Sequence, residues 1–292
     1  MSDLGIDLIT AGLVPPLPHA FVEGRDLDLL APLGFATAAT AMPAPAAPPD
    51  RRELAAALAV ANAGYGHPAA EAMAAKLADP ATRVVVTGQQ PGLFGGPLYT
   101  LSKAVAAALW VERLEMAGTP AVAVFWVSTE DHDFREVARA TFIGRQGPKL
   151  LELGDDAEPL TPVGMRSFGP GLEGLIEQLR HTGGGERWDG WIETLAGWYR
   201  PDARFGEAFS RLMAHLLGER CPLLMDAMLP AVKSSQRPWL RRVVELRHEI
   251  EAAFDERNRM ISGRGYELQV RPQPGASPLF VIHGRARRRV EW

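Results

Sequence analysis

The stretch from Arg83 to Asp133 constrains the fold more than any other. It opens with a β-branched run, Val84-Val85-Val86, which breaks into Thr87-Gly88-Gln89-Gln90-Pro91-Gly92. A glycine pair, Gly95-Gly96, precedes Pro97, and a helical pattern then runs to Ala117-Gly118, with Pro120 just beyond. A second apolar run, Ala121 to Val127, empties into Ser128-Thr129-Glu130-Asp131-His132-Asp133. Strand, glycine-rich turn, helix, strand and acidic cluster in this order describe a βαβ unit with a right-handed crossover. Ligands of such units sit at the carboxyl ends of the strands, where both polar clusters fall. Neighbouring strands would hold the two clusters about 5 Å apart, and one intervening strand about 10 Å apart.

The rest of the chain builds around this unit. Residues 1–50 are rich in proline and alanine, with AMPAPAAPPD at 41–50, and read as a loop-rich segment whose apolar patches (Leu13-Val14, Phe21-Val22, Leu27 to Leu33) pack on the core. Asp50 is placed to cap a helix over 51–62, with Glu53 completing a capping box. A second helix is expected over 69–78. Residues 51–153 form the first part of the core, ending in a hairpin of 138–143 with 149–153. A mainly helical insert follows over 154–218, with helices near 171–179, 188–199 and 205–217. The remaining core, 219–292, holds a strand at 222–225 and one long helix over 238–260. Its apolar positions (Leu240, Val243, Val244, Leu246, Ile250, Phe254) suit one buried stripe. An antiparallel meander of 266–271, 279–282 and 287–292 closes the chain. The sequence stops inside that last pattern, which suggests early truncation and an exposed apolar edge.

Composition excludes several classes. Of the 292 residues, 47% are hydrophobic, enough for a sizeable core. The formal net charge of −4 argues against general nucleic-acid binding. No apolar run is long enough to span a bilayer, and Met1-Ser2-Asp3 opens no signal sequence. The single cysteine, Cys221, forbids an intrachain disulfide and fits a reducing cytoplasm; its apolar setting reads as a buried structural thiol.

The residues that could carry chemistry lie at the two strand ends. Gly88, Gly92, Gly95 and Gly96 allow positive φ and close approach of a ligand, although a tight turn alone would also use them. The helix after Pro97, read as its first residue, offers free N–H groups to phosphate or carboxylate. The pattern matches neither standard phosphate-binding fingerprint. Gln89 and Gln90 are costly to bury unless they hold something. Tyr99 could stack on a ligand and Lys103 could reach a bound anion; packing and solvation are their bland alternatives. Glu130, Asp131 and Asp133 could hold an ammonium group or Mg²⁺, and His132 could move protons; alternatively the cluster is a surface loop in which Asp133 or Ser128 caps the next helix. The spacing is wrong for zinc, and no metal is assigned. Arg285, Arg287, Arg288 and Arg289 form either a solvated strand face or a contact for an anion.

The segments TGQQPGLFGGPLYTLSKA at 87–104 and FWVSTEDHDFREV at 125–137 strongly resemble the cysteine ligase BshC family. PLLMDAMLPAVK at 222–233, GYELQV at 265–270 and LFVIHGRARRR at 279–289 echo it in the same order. The resemblance implies an α/β fold with a Rossmann-like parallel sheet, a helical insert and the C-terminal meander. It implies a ligase that adds L-cysteine to glucosaminyl malate to give bacillithiol by amide formation. Kinship with class I aminoacyl-tRNA synthetase cores suggests ATP as co-substrate, and the full-length family suggests a homodimer built on a coiled coil. On this reading His132, Asp131 and Asp133 are catalytic. Gln89, Gln90, Gly92, Gly95, Gly96, Tyr99, Lys103 and Glu130 bind substrate. The partners are then small molecules, with neither nucleic acid nor membrane among them. A nucleotidyltransferase-like enzyme of the same fold and an inactive remnant are the rival readings.

Overall fold

The computed structural model describes residues 10–31, 50–144, 147–268, 270–271 and 275–292. The chain divides into two compact units, one of 41–237 with 277–290, the other of 1–40, 238–276 and 291–292.

The larger unit is built on a three-stranded parallel sheet. Its strands β1 (Arg83–Gln89), β2 (Ala121–Val127) and β5 (Leu223–Asp226) stand in the order β1-β2-β5. Both faces are covered, as parallel strands require. Helices α2 (Arg52–Tyr65) and α3 (Ala70–Ala78) pack one face, burying Leu58 and Leu77 against Val122, Val124 and Leu223. Helix α4 (Tyr99–Met116) and the later α8 (Phe205–Leu217) pack the other, with Ala104, Phe209 and Met213 against Phe125, Val127 and Leu224. Gly66 ends α2 in a left-handed conformation (φ 81°), a position where a side chain would be strained.

Strand β5 is an edge strand, and one side chain occupies its free side. Asn62, fully buried on α2, accepts from the Leu224 N–H (2.8 Å) and donates to the Leu224 carbonyl (2.9 Å) and to the Leu58 carbonyl (2.9 Å). Its amide thus does what a neighbouring strand would do. His67, also buried, meets the Cys221 carbonyl through Nε2 (2.9 Å) and accepts the Ala69 N–H at Nδ1 (3.1 Å). Burial holds its pKa below the usual histidine range. Cys221 is buried and its thiol is pushed up to about 12 by burial, the structural role expected of it.

The helices expected of the insert come after α5 (Phe134–Val137) and the hairpin that follows it. A hairpin of β3 (Arg139–Gly144) and β4 (Gly147–Glu152) leads into α6 (Gly171–Arg180), α7 (Glu186–Trp198) and α8. These enclose a second apolar core that includes Leu93 and Phe94 of the glycine-rich turn. Phe94 takes a left-handed conformation (φ 50°) and packs its ring 5.0 Å from that of Tyr199. Two apolar anchors therefore pin the turn from the insert side.

Several expectations need correction. Asp50 does not cap α2; Arg51 holds that position, and the Asp50 carboxylate takes the Arg52 N–H instead (3.0 Å). Pro97 lies outside α4, whose cap is Leu98. The long helix is two, α9 (Pro230–Glu245) and α10 (Arg247–Gly263), interrupted at Leu246. Its apolar stripe is not buried: Leu240 and Val244 are 45% and 48% exposed. The closing sheet has two strands, β6 (Ala276–His283) and β7 (Ala286–Glu291), and the described residues of 266–271 form no strand. Spacing alone could not separate a solvated stripe from a buried one. In the smaller unit Leu17 and Ala20 of α1 (Pro16–Val22) and Leu29 are buried, while Leu13 and Val22 are exposed. There Arg264 bridges Asp26 (2.7 Å) and Asp28, and Tyr266 donates to Asp26 (2.6 Å). The loop expected at 41–49 lies outside the described residues.

Replacing Asn62 with Ala strands both Leu224 backbone groups in the interior. Urea denaturation is expected to show a loss on the order of 3 kcal/mol. A loss below about 0.5 kcal/mol would mean that water takes over both bonds.

Candidate functional site

All three parallel strands end in one row. Gln89 lies opposite Val127, and Val127 opposite Asp226. The loops that leave this row are 90–98, 128–133 and 227–229, so three segments, the first two of them carrying polar clusters, share the carboxyl edge of the sheet.

The glycines have packing reasons of their own. A Cβ on Gly88 would stand 2.6 Å from the Trp126 carbonyl oxygen, so β1 and β2 meet there only because Gly88 lacks one. A Cβ on Gly92 would stand 2.7 Å from the Cα of Gly96, where the turn folds on itself. Gly95 and Gly96 have φ of 95° and 69°, conformations that disfavour side chains. These contacts account for the glycines whether or not a ligand binds.

Gln89 and Gln90 are adjacent in a strand ending and reach different partners. The Gln89 amide donates to Glu136 (2.9 Å) and to the Tyr99 hydroxyl (3.1 Å), and its oxygen accepts from Lys103 (2.9 Å). Lys103 also reaches the Gly88 carbonyl (3.3 Å) and lies 5.1 Å from the centre of the Tyr99 ring. Gln90 instead donates to Asp131 (2.6 Å), which ties the first strand's loop to the second's. The other oxygen of Asp131 accepts the His132 N–H (2.7 Å) and faces Arg287 of β7 (3.4 Å). That same guanidinium nitrogen meets His132 Nδ1 (3.2 Å). Gln90, Asp131, His132 and Arg287 form one connected network. Asp133 stands apart: it is exposed and caps α5 by accepting the Glu136 N–H (3.2 Å).

Two carboxylates at this edge are partly buried and desolvated. Glu130 accepts from the Trp126 indole (3.1 Å) through one oxygen, while its other oxygen is buried with no partner among the described residues. Burial raises its pKa, against smaller opposing effects that include the charges of Lys233 and Arg287. Asp226 accepts from the Thr129 hydroxyl and the Met228 N–H (2.8 Å), and burial raises its pKa also. Gly206 of α8 leaves room for it; a Cβ there would stand 2.8 Å from an Asp226 oxygen. The oxygen of Gln90, like the second oxygen of Glu130, is buried without a partner among the described residues. The described residues contain no cluster of three or more groups fit to hold a metal. Sequence reasoning placed Thr129 at this edge without giving it a partner, and missed Asp226, Glu136 and Lys233 as members of it. Asp226 carried a signal of the same kind as Glu130, a carboxylate at the end of an apolar strand run.

The Glu130 shift has a pH consequence. Its folded pKa exceeds the unfolded value near 4.5, so between the two the native state holds more protons than the unfolded state. Stability is therefore lost as pH rises through that window, and the cost is complete above the folded value. Glu130→Gln should gain thermal stability relative to the parent at pH 8 and lose that advantage at pH 4. Parallel melting curves across pH would contradict the assignment.

Comparison with known proteins agrees with this architecture. The family described as "Bacillithiol biosynthesis BshC, N-terminal Rossmann-like domain" matches residues 35–292. A protein of Solibacter usitatus named "Putative cysteine ligase BshC" is 36% identical over 243 residues, covering 82% of this chain and 44% of its own length. Namesakes from Salinibacter ruber and Bacillus velezensis are 34% and 26% identical, over 68% and 82% of this chain and 37% and 46% of theirs. The chain thus spans less than half the length of these curated relatives. No helix among the described residues is long and apolar enough to cross a membrane. The parallel sheet, the two polar loops at its carboxyl edge and the match over 35–292 together assign this chain to the BshC family, as its N-terminal Rossmann-like domain.

Proposed function

We propose that this chain serves bacillithiol biosynthesis as the Rossmann-like part of a ligase that joins L-cysteine to the amine of glucosaminyl malate. The observation that carries the reading is the pair of buried acceptor oxygens, Gln90 Oε1 and Glu130 Oε2, which have no partner among the described residues, at the edge where Gln90 and Asp131 join the two loops. An orphaned buried acceptor is costly, and a ligand carrying N–H groups relieves that cost. An amine or ammonium group has them. Glu130 and Asp131 would hold it by charge, and the N-terminus of α4 offers the complementary field for a carboxylate or phosphate. With Nδ1 facing Arg287, His132 keeps Nε2 for exchange of a proton with the substrate. Asp133 would act by fixing α5, and through it Glu136 and Gln89.

A free carboxylate does not acylate an amine until one oxygen becomes a leaving group. The reaction therefore takes a phosphoryl or nucleotidyl donor, for which ATP is the proposed source. The amine then displaces the activated oxygen, losing a proton as the C–N bond forms. The glycine-rich turn and the α4 terminus would receive the donor's phosphates, with Lys103 as the nearby cation.

The protein incubated with L-cysteine, glucosaminyl malate and ATP should yield a new free thiol of the mass of the amide product. Gln90→Ala should cut turnover about a hundredfold, because Asp131 loses the partner that orients it. The thermal midpoint should move by less than about 3 °C. Full turnover in this variant, or a collapse of stability with activity intact, would remove Gln90 from the site. A product lacking cysteine would favour a nucleotidyltransferase-like reaction instead.

A further inference from the structure

The feature of this edge left unexplained is Arg287. Its side chain is only 17% exposed, and its guanidinium lies 3.6 Å from the centre of the Phe280 ring. The backbone around it is fixed: the Arg287 N–H donates to the Leu160 carbonyl (2.8 Å), and the neighbouring Arg285 pairs with Glu158 and the Met165 carbonyl (3.1 Å). Yet among the described residues the guanidinium spends only Nη1, on Asp131 and His132. Its Nε and Nη2 hydrogens meet no acceptor among the described residues. A guanidinium carries five donors in a planar fork, and stacking on an aromatic ring holds that plane in place before any ligand arrives. A half-used, pre-oriented and largely desolvated fork suits one chemistry well, a planar carboxylate taken by two parallel bonds.

We infer that the free edge of Arg287 is a carboxylate-binding fork, delivered to the site by the β6–β7 hairpin. It rests on the reading above, that this edge is a substrate site, and deepens it by naming which group of the substrate is held and by what. The arrangement places a carboxylate beside the acceptors that want an N–H donor: Arg287 faces Asp131, and its charge reaches Glu130. A substrate bearing a carboxylate and an amine a few bonds apart meets both. L-Cysteine has this pattern, and so has a malate-bearing amino sugar.

The test is direct binding, which does not need turnover. The protein and its Arg287→Gln and Arg287→Lys variants are titrated calorimetrically with L-malate, L-cysteine and inorganic phosphate. Thermal melting of each variant verifies the fold. At least one of the two carboxylate ligands should bind the parent and lose tenfold or more in affinity in both variants, because lysine keeps the charge but not the fork. Loss confined to malate assigns the fork to the acceptor, and loss of cysteine binding assigns it to the amino acid. Full affinity in the lysine variant would show charge alone at work and overturn the fork. Undiminished binding of both ligands in both variants, or a preference for phosphate over either carboxylate, would overturn it as well. Failure of the ligase reading alone would appear differently, as Arg287-dependent binding without any thiol product.

Discussion

Everything at the candidate site depends on three parallel strands ending in register. Gln89, Val127 and Asp226 form one row across the sheet, and each loop leaves from that row. Parallel pairing fixes the direction of all three, so no loop can escape to the far edge. The register in turn depends on two local exclusions. Gly88 lets β1 close on the Trp126 backbone, and Asn62 satisfies the Leu224 backbone on the open side of β5. The first acts by absence of a side chain, the second by an amide standing in for a strand.

The insert adds stiffness to this edge. Leu93 and Phe94 are buried in its core, so the glycine-rich turn is held by apolar anchors while its backbone stays near the strand ends. Gly164 brings the loop after the β3–β4 hairpin onto Thr129, with its N–H on the Thr129 carbonyl (2.8 Å) and that of Val163 on the Asp131 carbonyl (2.7 Å). The acidic loop is thus bonded along its backbone and leaves its side chains to other work. That is how Glu130 stays desolvated, while Asp226, at the end of β5, is covered by the Thr129 hydroxyl of the same loop. A carboxylate in a mobile loop would turn to water, and its pKa would return to the ordinary range.

Charge is arranged with the same economy. The two raised carboxylates lie within reach of Lys233 on α9, and Glu130 also feels Arg287 on β7. Neither cation forms a close ion pair with them among the described contacts. Such an arrangement leaves both signs of charge available to a ligand that carries both, instead of neutralising them within the protein.

The sequence by itself determined the βαβ unit, the parallel sheet with its third strand near 223, the β3–β4 hairpin, the insert helices and the buried Cys221. These follow from local periodicity and from breakers such as Gly66 and Gly118, which act within a few residues. It also placed the 88–97 turn and the 130–133 cluster at one edge, because parallel strands share a direction. Only the tertiary structure decided which of those residues touch. Gln90 rather than Gln89 meets Asp131, Asp133 is committed to a cap, and Arg287 arrives from 155 positions downstream of His132. It also decided that the stripe at Leu240 and Val244 stays exposed and that the helix there breaks at Leu246. Side-chain partners and burial depend on what packs from far along the chain, and periodicity carries no record of that.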